Sequence, residues 1–377
     1  MRIAVNTRFS GLAEPEGYAN FTKGLILNMH GFGTGDSYIL MYDRPPSSPM
    51  HDSYISEVVS GPRARHPILW KWWYDVSMTR MARRAKADVI LSPDGFCSLT
   101  SSIPQVLAIH DLAFLHYPEG ISGLYRWYYR QYTPAFIRKA AHIITVSDFS
   151  MRDILNHYPD ARDKISVISN DADPGFRPLS WEMREEAKRR VTGGTEYFLY
   201  AGAIHPRKNL INLLKGFSWF KKRHQSGMKL VIAGRMAWKN DAFTGQLSTY
   251  KYRDDVILTG YVPQEEMFAV MGAAYALVYP SYWEGFGLPV LEAMRCRVPV
   301  ITSSNSAMAE LAGDAGLYAN PDDHEGWGRM MGLLYKDETF REQCIEKGLR
   351  RSGDFSWARS AEKLRAILAL SSRIRTP

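Results

Sequence analysis

The chain has 377 residues, too many for one ordinary hydrophobic core, so two domains are expected. At 45% hydrophobic and 23% charged, its composition excludes disorder and fibrous repeats. The net charge of +8 is an excess with a local source, and no apolar run approaches the roughly 20 residues of a membrane span.

Met1-Arg2-Ile3-Ala4-Val5 enters a strand pattern at once and does not read as a secretory leader. Cys97, Cys296 and Cys344 lie far apart without C-x-x-C spacing, which argues against a disulfide framework and fits a reducing cytoplasm. Ile3–Val5, Tyr38–Met41, Val89–Leu91, Val106–Ile109, Ile143–Val146 and Ile165–Ile168 are apolar runs of strand length. Helical spacing falls between them, as in Phe21–Met29 and Leu124–Ala140.

Within 61–87, seven basic residues (Arg63, Arg65, Lys71, Arg80, Arg83, Arg84, Lys86) face one acid, Asp75, and are interleaved with Trp70, Trp72 and Trp73. Such a helix either buries an aromatic face beneath a solvated basic one or lies on an anionic membrane surface. Past a loop rich in Asp, Pro and Gly (170–178) the alternation restarts with Tyr197–Tyr200, Leu230–Ala233, Val256–Leu258, Ala276–Tyr279 and Val298–Thr302. Two such blocks predict an α/β protein of two doubly wound, Rossmann-like domains, with ligands outside the carboxyl ends of the strands in a shared cleft. Residues 356–370 read as one more amphipathic helix.

The richest stretch is Pro280-Ser281-Tyr282-Trp283-Glu284-Gly285-Phe286-Gly287-Leu288-Pro289-Val290-Leu291-Glu292. A strand enters a glycine turn and then a helix with Pro289 in its first turn. Unpaired N–H groups there suit an anion or a hydroxyl-rich ligand, with one carboxylate toward each end of it.

Glu284 and Glu292 match the E-x7-E signature of the retaining glycosyltransferases of family 4, and the flanking residues resemble that family closely. Phe198–Asn209 looks like its donor-phosphate loop, His110–Glu119 like its catalytic-histidine segment. Thr145–Ser150, Gly260–Pro263 and Phe355–Trp357 follow in family order. The resemblance implies a GT-B fold: an acceptor-binding domain over 1–176, to which a helix at 357–377 returns, and a nucleotide-sugar-binding domain over 177–356. It most resembles the mannosyltransferase-like branch that builds bacterial O-antigen and capsule glycans.

Residue by residue, the resemblance gives Lys208 and Arg207 the donor diphosphate, Glu284 the sugar hydroxyls and Glu292 the ribose. Gly285, Phe286, Gly287 and Leu288 would contact sugar and phosphate through their amides, and His110 would reach the transferred sugar near its anomeric centre. Gly17, in Glu16-Gly17-Tyr18-Ala19-Asn20-Phe21, would approach the diphosphate, although Ala19 replaces one of the usual glycines. Ala203 stands where many relatives carry Arg, a loss that Arg207 would offset. Tyr261 and Val262 fall in the segment that contacts the donor base. His116 and His205 read as loop histidines.

Asp171-Ala172-Asp173 spells D-x-D, the metal signature of the other large transferase fold, but its neighbours Pro174 and Gly175 mark it as turn chemistry. No other carboxylate or histidine cluster has ligand spacing, so no metal site is expected, and no cofactor beyond the nucleotide diphosphate sugar as co-substrate. The expected activity is metal-independent, retaining hexosyl transfer, with GDP-mannose the first donor. The acceptor would be a glycan or a polyprenyl-linked glycan, at the inner face of the cell membrane if 61–87 meets lipid. The alternative is a catalytically silent nucleotide-sugar-binding homologue or partner subunit. A dinucleotide oxidoreductase would carry G-x-G-x-x-G after the first strand, where Phe9–Glu14 offers none, and no nucleic-acid-binding module is visible.

Overall fold

A computed structural model of the chain describes residues 1–8, 17–29, 35–47, 49–50, 52–64, 66–236 and 241–374. The stretch 9–16, which contains Phe9–Glu14 and Glu16, lies outside the described residues, as does Arg65.

The chain divides into two compact units, Met1–Asn170 with Ser356–Pro377, and Asp171–Phe355. The first holds a seven-stranded sheet of β1 (Arg2–Asn6), β2 (Ser37–Tyr42), β3 (Ile55–Val59), β4 (Val89–Ser92), β5 (Gln105–Ala108), β6 (His142–Thr145) and β7 (Ile165–Val167), in the order β3-β2-β1-β4-β5-β6-β7. The second holds β8 (Tyr197–Ala201), β9 (Lys229–Ala233), β10 (Val256–Gly260), β11 (Ala276–Tyr279), β12 (Val300–Ser303) and β13 (Gly316–Ala319), ordered β10-β9-β8-β11-β12-β13. The pairings within both sheets are parallel. Central strands such as β4 and β8 are buried at each residue, which is why they read as unbroken apolar runs.

The unit boundary falls at 170/171, six residues earlier than the sequence suggests. The loop Asp171–Phe176 is tied into the second unit: Asp171 pairs with Arg295 at 2.9 Å, and Phe176 meets Phe268 edge to face at 4.8 Å. The two acids of the D-x-D run do turn work. Asp171 accepts from the amide of Ala172 at 2.7 Å, and Asp173 accepts from the amide of Gly175 at 2.8 Å and from Gln264 at 3.0 Å.

The helix Trp357–Ser371 belongs to the first unit, where it packs on the helix Gly17–Met29. Ser360 donates to the Ser169 carbonyl at 2.7 Å, and Arg365 bonds Asp36 at 2.7 Å.

The basic aromatic segment forms a helix (Pro67–Trp72), a π-helical stretch (Trp73–Met78) and a second helix (Thr79–Arg84). Trp70, Trp73, Tyr74, Met78 and Met81 are buried, while Arg80, Arg83 and Arg84 are exposed. Trp72 and Ile68 are not part of that buried face. They are 55% and 74% exposed, and with Leu124, Trp127 and Tyr132 they line an apolar groove of about 830 Å³. Among the described residues no helix is long and apolar enough to cross a membrane.

Candidate active site

The carboxyl ends of β8 and β11 lie side by side, and each runs into a loop that carries charge. After β8, His205 accepts from the amide of Arg207 through Nδ1 at 3.1 Å and so caps the 3-10 turn Pro206–Lys208. Asn209, with φ of 61°, turns the chain into the next helix and bonds the carbonyls of Pro280 (3.1 Å) and Pro321 (2.7 Å). These bonds lock the Arg207–Lys208 loop against the turn that follows β11.

Lys208 donates to Tyr279 Oη at 2.8 Å and forms an ion pair with Glu284. Arg207 Nη1 lies 3.3 Å from the other Glu284 oxygen and donates to the Trp283 carbonyl. Glu284 is 8% exposed. Burial alone would raise its carboxyl, but Arg207 and Lys208 outweigh burial and hold it at about 2. Glu284 is therefore ionised at neutral pH and engaged with both cations, rather than solvated as an isolated glutamate would be. Tyr279 stacks on Tyr200 with ring centroids 5.7 Å apart. Tyr200 and Asn209 fall within the stretch that resembles the donor-phosphate loop and Tyr279 ends a strand run, but the sequence gives none of the three a role of its own.

The glycine turn behaves as its composition predicts. Gly287 adopts φ of 97°, and a Cβ there would come within 2.8 Å of Met308, so both backbone and space require glycine. The helix Leu288–Arg295 begins there without a side-chain cap; Pro289 in its first turn has no N–H, and the amide of Val290 donates to the Gly287 carbonyl at 2.9 Å. Phe286 is buried edge to face against Phe355, so it contributes packing as well as an amide. Glu292, half-buried on this helix, has its carboxyl pushed up to about 8, first by burial and then by Asp173. Tyr261 and Val262 follow β10, at the outer edge of the same sheet, and Tyr261 is 51% exposed.

His110 lies in the first unit, two residues past β5. Its Nε2 is 2.9 Å from the Pro93 carbonyl, which only accepts, so Nε2 carries the hydrogen and Nδ1 the lone pair. Phe21 packs edge-on at 4.9 Å. Burial lowers the imidazole below its usual value, while the Pro93 hydrogen bond and Asp111 act the other way. Beside Pro93, buried Asp94 accepts from Asn6 (2.8 Å) and Tyr74 (2.5 Å) and lies 4.0 Å from Arg8. This network beneath the His110 contact escapes sequence reading, because its members are scattered from 6 to 94. Gly17 is the first residue of the helix Gly17–Met29 that supplies Phe21.

His116 is not an ordinary loop histidine. It ends the short helix Ala113–His116 and is bonded to Asp153 at 3.0 Å, with His157 close by. The sequence shows no carboxylate or histidine cluster with ligand spacing, and this one is assembled only by the fold. The spacing exists in three dimensions, between residues 37 positions apart in sequence.

Residues 35–175 match the family model described as Glycosyltransferase Family 4, and residues 182–351 match that described as Glycosyl transferases group 1. The chain is 30% identical over 261 residues to the O-antigen chain mannosyltransferase B of Escherichia coli, covering 67% of this chain and 66% of that one. It is 30% identical over 236 residues to the O-antigen chain mannosyltransferase RfbU of Salmonella typhimurium, covering 61% and 62%. The matches thus span somewhat under two thirds of those relatives. Anabaena HepE, solved in complex with UDP and glucose, superposes with a TM-score of 0.76 at 14% identity, covering 98% of this chain and all of that one. With both family domains in order on two parallel Rossmann-like sheets, the chain belongs to the family 4 glycosyltransferases of GT-B fold.

Proposed function

We propose that the chain is a retaining hexosyltransferase that moves mannose from GDP-mannose to a glycan or polyprenyl-linked glycan. The observation that carries this reading is the Lys208–Arg207–Glu284 cluster, two cations fixed beside the glycine turn that opens the helix Leu288–Arg295. The acceptor oxygen bonds to the anomeric carbon as the bond from that carbon to the diphosphate breaks, on the same face. The acceptor's proton passes to the departing phosphate oxygen. Lys208, Arg207 and the amides of Gly285–Leu288 stabilise the charge left on the diphosphate. Those cations are the ground for proposing metal independence. On this reading Glu284, held between them, accepts from sugar hydroxyls, Glu292 accepts from the ribose, and His110 contacts the transferred sugar. Gly17 approaches the diphosphate, and Tyr261 and Val262 flank the base.

The mannosyl and O-antigen part of the reading rests on what the two bacterial relatives are named for. The test is calorimetric titration of the purified protein with GDP, UDP, ADP and dTDP in the presence of EDTA. GDP is expected to bind at least tenfold tighter than the others. Preference for UDP would overturn the GDP-mannose assignment, and binding of none of them would overturn the transferase reading in favour of a partner subunit.

A further inference from the structure

We propose that His116, Asp153 and His157 form a binding site for a late first-row divalent cation of the zinc class. The site lies wholly in the first unit, apart from the residues assigned to donor chemistry, and it does not depend on the donor or acceptor reading.

Asp153 and His157 are one helical turn apart on the helix Asp148–His157, so their side chains share a face. His116 reaches the same point from the end of the helix Ala113–His116. One ligand atom from each of the three residues lies within 4.8 Å of the others. His116 Nε2 is 3.0 Å from each Asp153 oxygen, and His157 Nδ1 is 3.2 Å from Asp153 Oδ1. Ligands on arms of about 2.0–2.2 Å in a tetrahedron are separated by roughly 3.3–3.6 Å, so the two Asp153 separations fit a shared ion with small shifts, and the two histidines, whose ligand atoms lie within 4.8 Å, close on it by side-chain rotation. Two imidazoles and one carboxylate are a donor set suited to zinc, cobalt or nickel rather than to magnesium or calcium.

Asp153 is 10% exposed at its side chain and forms the floor, whereas His116 and His157 are 26% and 39% exposed. An ion therefore enters from solvent, and water completes its coordination. His157 Nδ1 is also 3.0 Å from the Asp153 carbonyl. On metal binding that nitrogen presents its lone pair, and the ring hydrogen resides on Nε2. The bound ion would tie the helix 148–157 to the segment that carries His110, since Asp111 bonds the amide of Ala113, which begins the helix ending in His116.

The experiment is calorimetric titration of chelator-treated, tag-free protein with Zn(II), together with visible absorption of the Co(II) form. The expected result is one ion per chain with a micromolar or tighter dissociation constant and the visible bands of low-coordinate cobalt. His157→Gln and Asp153→Asn are each expected to weaken binding at least tenfold. His157 is the more exposed ligand, so His157→Gln decides the matter if Asp153→Asn fails to fold. Wild-type protein that takes up no more Zn(II) than His157→Gln, or a tight site that survives that substitution, would overturn the proposal.

Discussion

Glu284 and Glu292 sit on either side of one glycine turn, yet their carboxyls are driven in opposite directions, to about 2 and about 8. Both lose hydration, and among the described residues cations pair with Glu284 but not with Glu292. If Glu292 accepts the ribose hydroxyls, nucleotide binding favours its ionised form, whereas the free protein holds it mostly protonated at pH 7. Binding at pH 7 is then expected to release a proton, approaching one per site. The apparent enthalpy will vary with the ionisation enthalpy of the buffer, and the effect will vanish at pH 9 and in Glu292→Gln. A buffer-independent enthalpy at pH 7 would remove Glu292 from the ribose. The same raised value has a sign for stability. The folded state holds the proton more tightly than the unfolded one, so stability declines as pH rises from about 4.5 through 8. Glu292→Gln is therefore expected to gain on wild type in melting temperature at pH 8.5 but not at pH 4.

Gly24 decides how two helices meet. A Cβ there would lie 2.5 Å from Cε2 of Trp357, a rigid ring that itself packs near Phe21 at 6.2 Å. Gly24→Ala must displace the returning helix, at a cost of about 1–3 kcal/mol typical of overpacking. Gly227→Ala is the control, because open space surrounds that position. A thermal melt should show the loss for Gly24→Ala alone. Among the strands, β3 and β13 are absent from the sequence reading. Both lie at sheet edges; β3 is partly exposed throughout and is interrupted by Ser56 and Glu57, and β13 is only four residues long and begins at Gly316. The helix 148–157 carries an aspartate and a histidine that look like routine polar positions until the helix Ala113–His116 brings a second histidine to them.

At the scale of the molecule, the charge excess and the apolar groove lie on the same unit. Arg80, Arg83 and Arg84 are exposed on the helix Thr79–Arg84, and Trp72 and Trp127 line the groove. If the acceptor is lipid-linked, the arginines and the groove are expected to meet an anionic bilayer. Co-sedimentation with anionic vesicles should then fall several-fold when the three arginines are replaced by Glu, and again in Trp72→Ala with Trp127→Ala. Binding that ignores lipid charge would end that reading.

The two α/β blocks, the central strands, the glycine turn and the family are legible in the order of the amino acids, because each is written in contiguous residues through apolar runs, turn chemistry or motif spacing. That order did not contain the clamp of Lys208 and Arg207 on Glu284, the divergence of the two carboxyls, the Asp94 network beneath His110 or the His116–Asp153–His157 cluster. Those depend on distances between residues far apart in the chain and on the water that folding removes around them. Both are properties of the folded chain, in which distant residues meet and water is excluded.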